Sequence, residues 1–192
     1  MIKLKNIGIL LFACLIAMGF TNYIVKSQQQ SIVVDTNPVQ LPLILIEVEP
    51  IKINQTKIFL NAIGQRESSN RYDVVNKWGY MGKYQFGKRT LKTLGYTVSR
   101  KEFLNSPHLQ EKAMLDLLEH NKKILKKYIE YWDGKKIHGK VITESGILAA
   151  AHLAGPGNVK KFFIKGKNFA DGNGTKLTSY LTQFSGYELN LD

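Results

Sequence analysis

Apolar and polar positions divide the chain into three regimes. An almost unbroken apolar run, Ile7 to Phe20, is followed by Tyr23-Ile24-Val25 and preceded by Lys3 and Lys5. This is the layout of an export signal, and through Val25 it is also long enough for an uncleaved membrane anchor. Residues 26–54 are polar at Lys26-Ser27-Gln28-Gln29-Gln30 and interrupted by Pro38, Pro42 and Pro50, the pattern of a linker. Its apolar stretch Leu41–Ile46 is too short to span a bilayer and suits an edge strand or extended segment. From residue 55 to 192 apolar positions recur at helical spacing between compact turn signals, so this part is the folded domain.

Within the domain, the apolar run Ile58–Ile63 predicts a helix ending near Glu67, with Ser68, Ser69 and Asn70 as turn formers. Two short aromatic and β-branched segments follow, Tyr72–Asn76 and Tyr80–Phe86, and the junction Asn76-Lys77-Trp78-Gly79 predicts a hairpin. Lys88–Leu94 forms a short helix stopped by Gly95, and Ser99 with Glu102 makes a capping box. Ser106-Pro107 starts a helix to about Tyr128, with Leu109, Ala113, Leu117, Ile124 and Tyr128 at helical spacing. Its lysines, Lys112, Lys122, Lys123, Lys126 and Lys127, suit a solvated face. Lys135–Ile142 alternates around Gly139 as a small hairpin. Thr143 caps a helix, Glu144 to Ala154, built of small residues that let neighbours approach closely, so it is expected to be the central buried helix. Asn158 is expected to cap Val159–Ile164, which ends near Gly166; a last helix, Leu177–Phe184, carries Tyr180. The fold class is mainly α (α+β).

Composition narrows the chemistry. Cys14 is the only cysteine and lies inside the apolar run, so no intrachain disulfide forms; lipid attachment there is an open alternative to cleavage or retention of the segment. The histidines show no zinc-ligand spacing. Asp171-Gly172-Asn173-Gly174-Thr175 starts like a calcium loop, but Lys176 and Thr182 replace its required glycine and glutamate, so it reads as a turn. No phosphate-cradling loop occurs, and no cofactor is expected. The net charge of +12 calls for an acidic partner. Nucleic acid fits poorly with an exported chain lacking an aromatic-basic motif.

Glu67 is the chemical centre of this pattern. A carboxyl at a helix end, walled by Tyr72, Trp78, Tyr80, Tyr84 and Phe86, loses hydration, and its pKa is expected to rise into the range of a general acid. That arrangement suits cleavage of a glycosidic bond. Asp73 and Glu144 are the candidates for a second carboxylate, and neither is convincingly placed by sequence position.

Three segments then carry a family resemblance: Glu67-Ser68 at a helix end, Gly82-Lys83-Tyr84-Gln85, and Ala149-Ala150-Ala151-His152-Leu153-Ala154-Gly155-Pro156-Gly157-Asn158-Val159. In this order and separation they resemble the lysozyme-like superfamily, in its soluble lytic transglycosylase and goose-type lysozyme branch, over about Gln55 to Gly186. The resemblance implies a lysozyme-like helical domain with a small β-hairpin lobe beside the catalytic helix. It implies Glu67 as the acid, then base, and Ser68, Tyr84, Gln85, His152 and Tyr180 as substrate-binding residues. His152-Leu153 stands where the family usually has Tyr-Asn, and Lys176-Leu177 where it has Glu-Thr ahead of the tyrosine matched by Tyr180. The implied activity is cleavage of the MurNAc-GlcNAc bond of peptidoglycan with 1,6-anhydromuramyl products, assisted by the substrate's own N-acetyl group. A lysozyme-type hydrolase and a non-catalytic wall-binding protein are the alternatives. The implied partners are peptidoglycan glycan strands, and the membrane if the N-terminal segment is uncleaved, for a monomer in the cell envelope, periplasmic or anchored facing the wall.

Overall fold

The structure, a computed structural model, describes residues 54–191. The export or anchor segment, Cys14 and residues 26–53 of the linker lie outside the described residues. Seven helices and one two-stranded hairpin follow in order among the described residues: α1 (Gln55–Ser68), α2 (Lys88–Thr93), α3 (Arg100–Leu104), α4 (Pro107–Trp132), β1 (Lys136–Ile137), β2 (Lys140–Val141), α5 (Glu144–Ala154), α6 (Pro156–Lys165) and α7 (Leu177–Gln183). The described part is therefore mainly helical. None of these helices is long and apolar enough to cross a membrane.

Helix α5 is the axis of the packing. Seven consecutive residues, Ser145 to Ala151, are buried, as expected of a helix enclosed on all sides. Its small side chains bring neighbours close. A Cβ added at Gly146 would meet the Leu181 carbonyl oxygen of α7 at 2.3 Å, well inside contact distance. Thr143 caps α5 by accepting from the Gly146 N–H at 3.3 Å. Around this axis sit Phe59 and Ile63 of α1, Met114, Leu118 and Leu125 of α4, Val159 of α6 and Leu177 and Leu181 of α7, all buried. Each such side chain withdrawn from water contributes about 1.5–3 kcal/mol. The C-terminal tail closes over α1: Tyr187 packs edge-on to Phe59, with ring centres 5.4 Å apart, and the Asn190 N–H donates to Thr56 Oγ1 at 2.9 Å.

Several expected elements are present with shifted bounds. Helix α4 runs on to Trp132, past Tyr128, and its buried stripe includes Gln110 and Asn121 while Ile124 is exposed. Two of its lysines find carboxylates within 3 Å, Lys112 with Asp116 and Lys122 with Glu144. The hairpin of β1 and β2 pairs Lys136 with Val141 and Ile137 with Lys140. His138 and Gly139 both take positive φ at its tip, as a tight two-residue turn requires. Asn158 is not a cap, correcting the expectation: α6 begins at Pro156, and Asn158 lies within it, donating from Nδ2 to the Ala154 carbonyl at 2.8 Å. Proline fits the first turn because its missing N–H would have no helical partner there.

The segment between α1 and α2 is not the regular hairpin that its alternation predicts. Only isolated bridges form, Val75 with Met81 and Met81 with Phe86. Side chains from elsewhere hold the loop instead. The buried Gln110 of α4 accepts from the Lys83 N–H at 2.8 Å and donates to the Tyr72 and Phe103 carbonyls at 3.0 and 2.8 Å. Gly82 admits it, at φ 72°, where any Cβ would collide with the Gln110 amide.

Candidate active site

Helix α1 ends immediately after Glu67-Ser68 because Ser69 and Asn70 both take left-handed backbone conformations. Their N–H groups return to the Gln65 and Gly64 carbonyls at 3.1 and 3.0 Å. Glu67 thus projects from the last turn of a rigid helix into an open cleft of about 980 Å³. Trp78, Tyr80, Gln85 and Phe86 form one part of its wall, Leu117 and Asn121 of α4 another, and His152 and Leu153 the end of α5. Tyr180 and the Asp171–Thr175 loop complete it.

Two side chains grip the Glu67 carboxyl. The Tyr180 hydroxyl donates to Oε1, and His152 Nε2 stands 3.4 Å from the same oxygen. Both residues are largely enclosed, with side-chain exposures of 16 % for Glu67 and 7 % for His152. Arg66, one residue earlier, lies over the Tyr180 ring at 4.2 Å and donates to Ser179 Oγ at 2.8 Å, pinning α7 against α1. Glu67, His152 and Tyr180 therefore meet at one point from α1, α5 and α7.

The charge state corrects the sequence-based expectation. Burial is the largest single influence on Glu67 and pushes its pKa up, but the hydrogen bond and charge of His152, the Tyr180 hydroxyl and Arg66 outweigh it. The carboxyl sits below the ordinary value of 4.5. Burial, followed by the Glu67 charge and hydrogen bond, pushes the Tyr180 phenol well above its usual range, so Tyr180 stays a donor.

The aromatic wall is also smaller than expected. Trp78, Tyr80 and Phe86 line the cleft, but Tyr72 and Tyr84 do not. Both donate to Glu111 of α4 at 2.6 Å, where Lys83, with a side chain 4 % exposed, pairs with the same carboxylate at 2.8 Å. Glu111 went unnoticed in the sequence, where it reads as one more polar position on an amphipathic helix. Burial opposes its charge most strongly, yet Lys83, Tyr72 and Tyr84 together hold its pKa below 4.5. Tyr72, raised chiefly by burial and then by Glu111, is pushed up to about 12.

Ser68 likewise stays out of the cleft wall. Its buried hydroxyl donates to the Lys83 carbonyl at 2.8 Å and accepts from the Arg71 N–H at 3.0 Å, tying the helix end to the loop. Gln85 is in the wall at φ 52°, its Nε2 donating to the Gly82 carbonyl at 2.8 Å. Asn76 shapes the lip by accepting from the Trp78 and Tyr80 N–H groups at 2.9 and 3.1 Å. Trp78 is 56 % exposed and lies close to Gly172 across the cleft.

Of the carboxylates considered as partners, Asp73 is exposed away from the cleft, and Glu144 pairs with Lys122 at 2.8 Å. Asp171 is the second carboxylate in the cleft wall. Its Oδ1 accepts from the Asn173 and Thr175 N–H groups at 2.9 and 2.7 Å, so the loop is a turn built on its own first residue. Among the described residues no three His, Cys, Asp or Glu side chains gather in a metal-binding group.

No family model, curated protein or solved structure matches the chain.

Proposed function

We propose that this protein is a peptidoglycan lytic transglycosylase with a lysozyme-like fold, cleaving the MurNAc-GlcNAc bond without water. The observation that supports this most is the placement of Glu67, on a helix end in an open cleft, held by a tyrosine and a histidine from two other helices. Exposed Trp78 and Tyr80 offer flat apolar faces on which sugar rings can lie. The net charge of +12 suits an anionic wall polymer, and export of the chain would bring the two together.

Glu67 acts twice in this reading. As an acid it gives its proton to the glycosidic oxygen while the neighbouring N-acetyl carbonyl oxygen attacks the anomeric carbon from the other side. As a base it then takes the proton of the muramyl 6-hydroxyl, which displaces the acetamido oxygen and closes the 1,6-anhydro ring. The proton returns to Glu67 and no water is consumed. The held hydroxyl outcompetes water because intramolecular attack has a large effective concentration. The free carboxyl sits low, so protonation belongs to the complex. A glycan covering the cleft removes water from Glu67, which strengthens the one influence that already pushes upward, burial.

A second reading, a lysozyme-type hydrolase, is favoured by one observation, the presence of Asp171 in the cleft wall. Mass analysis of peptidoglycan fragments separates the two. Transglycosylation gives anhydromuramyl ends, one water lighter than hydrolysis products, and Glu67→Gln lowers their release by about 10²–10⁴-fold. Exclusively reducing muramyl ends, lost on Asp171→Asn, would establish the hydrolase instead. Unchanged release by Glu67→Gln would remove both readings.

A further inference from the structure

An aromatic patch joins the C-terminal end of α4 to α6. Phe163 is stacked against Trp132 and Tyr128, with ring centres 5.1 and 6.1 Å apart and planes within 17° and 23°. Tyr131 meets Trp132 edge-on at 5.1 Å. None of these four rings lines the cleft around Glu67. Ile164, which follows Phe163, is 66 % exposed and Tyr131 is 59 % exposed, the two highest values for large apolar side chains among the described residues. Single exposed apolar side chains are ordinary, but two joined through a row of packed rings mark a surface that meets something.

Positive charge gathers at the same end. Positions 122–167 hold eleven lysines against three carboxylates, an excess of eight where the whole chain has +12. Of these lysines, only Lys122, Lys123 and Lys126 have a carboxylate within 4 Å among the described residues. Lys135 Nζ lies 3.2 Å from the centre of the Tyr131 ring and Lys160 Nζ 6.0 Å from that of Tyr128, so a cation sits at each end of the row. On α6, Val159 and Phe162 are buried, which leaves Ile164 facing outward with Lys160 and Lys161 one turn before it.

We propose that this patch docks the folded domain on an anionic lipid surface, with Tyr131, Trp132 and Ile164 at the headgroup boundary and the lysines against the lipid phosphates. Rings with an apolar body and a polar edge settle at that boundary. Lysine stems lie along apolar surface while their ammonium groups reach the headgroups. Apolar area and attraction to anionic lipid together make a surface contact of this kind. Sugar rings suit the patch less well, because they need an open ring face. Phe163 is already stacked with two other rings, and Lys135 covers Tyr131. This contact does not depend on the reaction at Glu67.

The chain has two tryptophans, Trp132 in the patch and Trp78 in the cleft wall. Single-tryptophan forms of the full-length protein, Trp78→Phe and Trp132→Phe, are incorporated into vesicles of brominated phosphatidylcholine, with or without phosphatidylglycerol. Emission of the vesicle-bound protein is compared with that on unbrominated lipid. Bromine quenches only on close approach, so Trp132 loses emission on the anionic vesicles while Trp78 keeps it, and neither loses it on phosphatidylcholine alone. Adding Ile164→Ser, or Lys161→Glu with Lys165→Glu, to the Trp78→Phe protein restores the Trp132 emission. All three positions are exposed, so the fold is retained. No loss from Trp132, equal loss from both tryptophans, equal loss on the zwitterionic lipid, or loss that persists in either variant overturns the proposal. Trp132 unquenched on every vesicle, with weaker sedimentation of the same variants on isolated peptidoglycan, assigns the patch to the wall polymer instead.

Discussion

Gly146→Ala tests whether the packing of α5 against α7 sets the geometry around Glu67 on which the proposed activity depends. The added Cβ would lie 2.3 Å from the Leu181 carbonyl oxygen, against the 3.4 Å at which ordinary contact begins, so the helices must separate by about 1.1 Å. A backbone carbonyl cannot swing aside as a side-chain tip can. Overpacking of this kind costs about 1–3 kcal/mol, and the upper end applies. Alanine returns about 1 kcal/mol through its better helix propensity, leaving a net loss of about 2 kcal/mol. For a chain of this size that lowers the melting temperature by about 4–8 °C. The functional effect is larger, because Leu181 is next to Tyr180, whose hydroxyl holds Glu67. A displacement of about 1 Å in a positioning group can reduce turnover by about 10²-fold. Thermal melts and release of soluble wall fragments, measured well below the melting temperature, report the two effects separately. Unchanged melting would refute the close approach, and unchanged release from a destabilised variant would refute the role of α7 in holding the acid.

Replacing His152 by Phe removes the hydrogen bond and charge that lower the Glu67 pKa, leaving burial less opposed. The alkaline limb of kcat/KM, which requires protonated Glu67 in the proposed reaction, should then move to higher pH; an unmoved limb would mean that His152 does not set the acid. Glu111→Gln leaves the Lys83 ammonium buried without its counter-charge and should destabilise by about 2 kcal/mol in chemical denaturation, below the range for fully buried pairs because Glu111 is 32 % exposed. Because the Glu111 pKa is depressed by folding, its contribution is complete above pH 4.5 and fades as pH falls through the folded value, so the gap between wild type and variant should narrow in acid. A gap that widens in acid would contradict the pair.

Much of the helical framework was legible because it rests on local rules. Ser99 and Thr143 cap as their side chains predict, and the run of small residues from Ser145 to Ala151 marks the buried axis. Glu67, Gln85, His152 and Tyr180 do share one cleft. The aromatic segments misled for a physical reason. Alternation in Tyr72–Phe86 says which residues face opposite sides, but it does not say which side faces the cleft. Tyr72 and Tyr84 turn to Glu111, a long-range partner that no periodicity reveals. Gln110 and Asn121 were missed for a related reason. A polar residue on a long, lysine-rich helix looks solvent-facing until the tertiary packing shows which stripe is buried. Asp171 was assigned correctly to a turn, but its place in the cleft wall depends on how that turn meets Trp78.

These differences bear on how a single carboxyl can serve as acid and base in the proposed reaction. A carboxyl raised mainly by a greasy wall would be a ready acid in the free protein and a poor base afterwards, since the same wall resists its charge. Glu67 is built the other way. Tyr180 and His152 stabilise the anion, which is the form the proposed reaction requires when the 6-hydroxyl proton is collected. The acid form then depends on water being excluded by the substrate, because burial is the influence that grows when the cleft is covered. In the proposed reaction proton loading is thereby linked to occupancy, and an empty cleft keeps a charged carboxylate that cannot protonate a glycosidic oxygen. His152 fits this division. Tyr180 and His152 each hydrogen-bond the carboxyl, and His152 adds a charge that also holds the Glu67 pKa down, so in the proposed reaction the base form is built into the empty cleft and only the covering of the carboxyl opposes it.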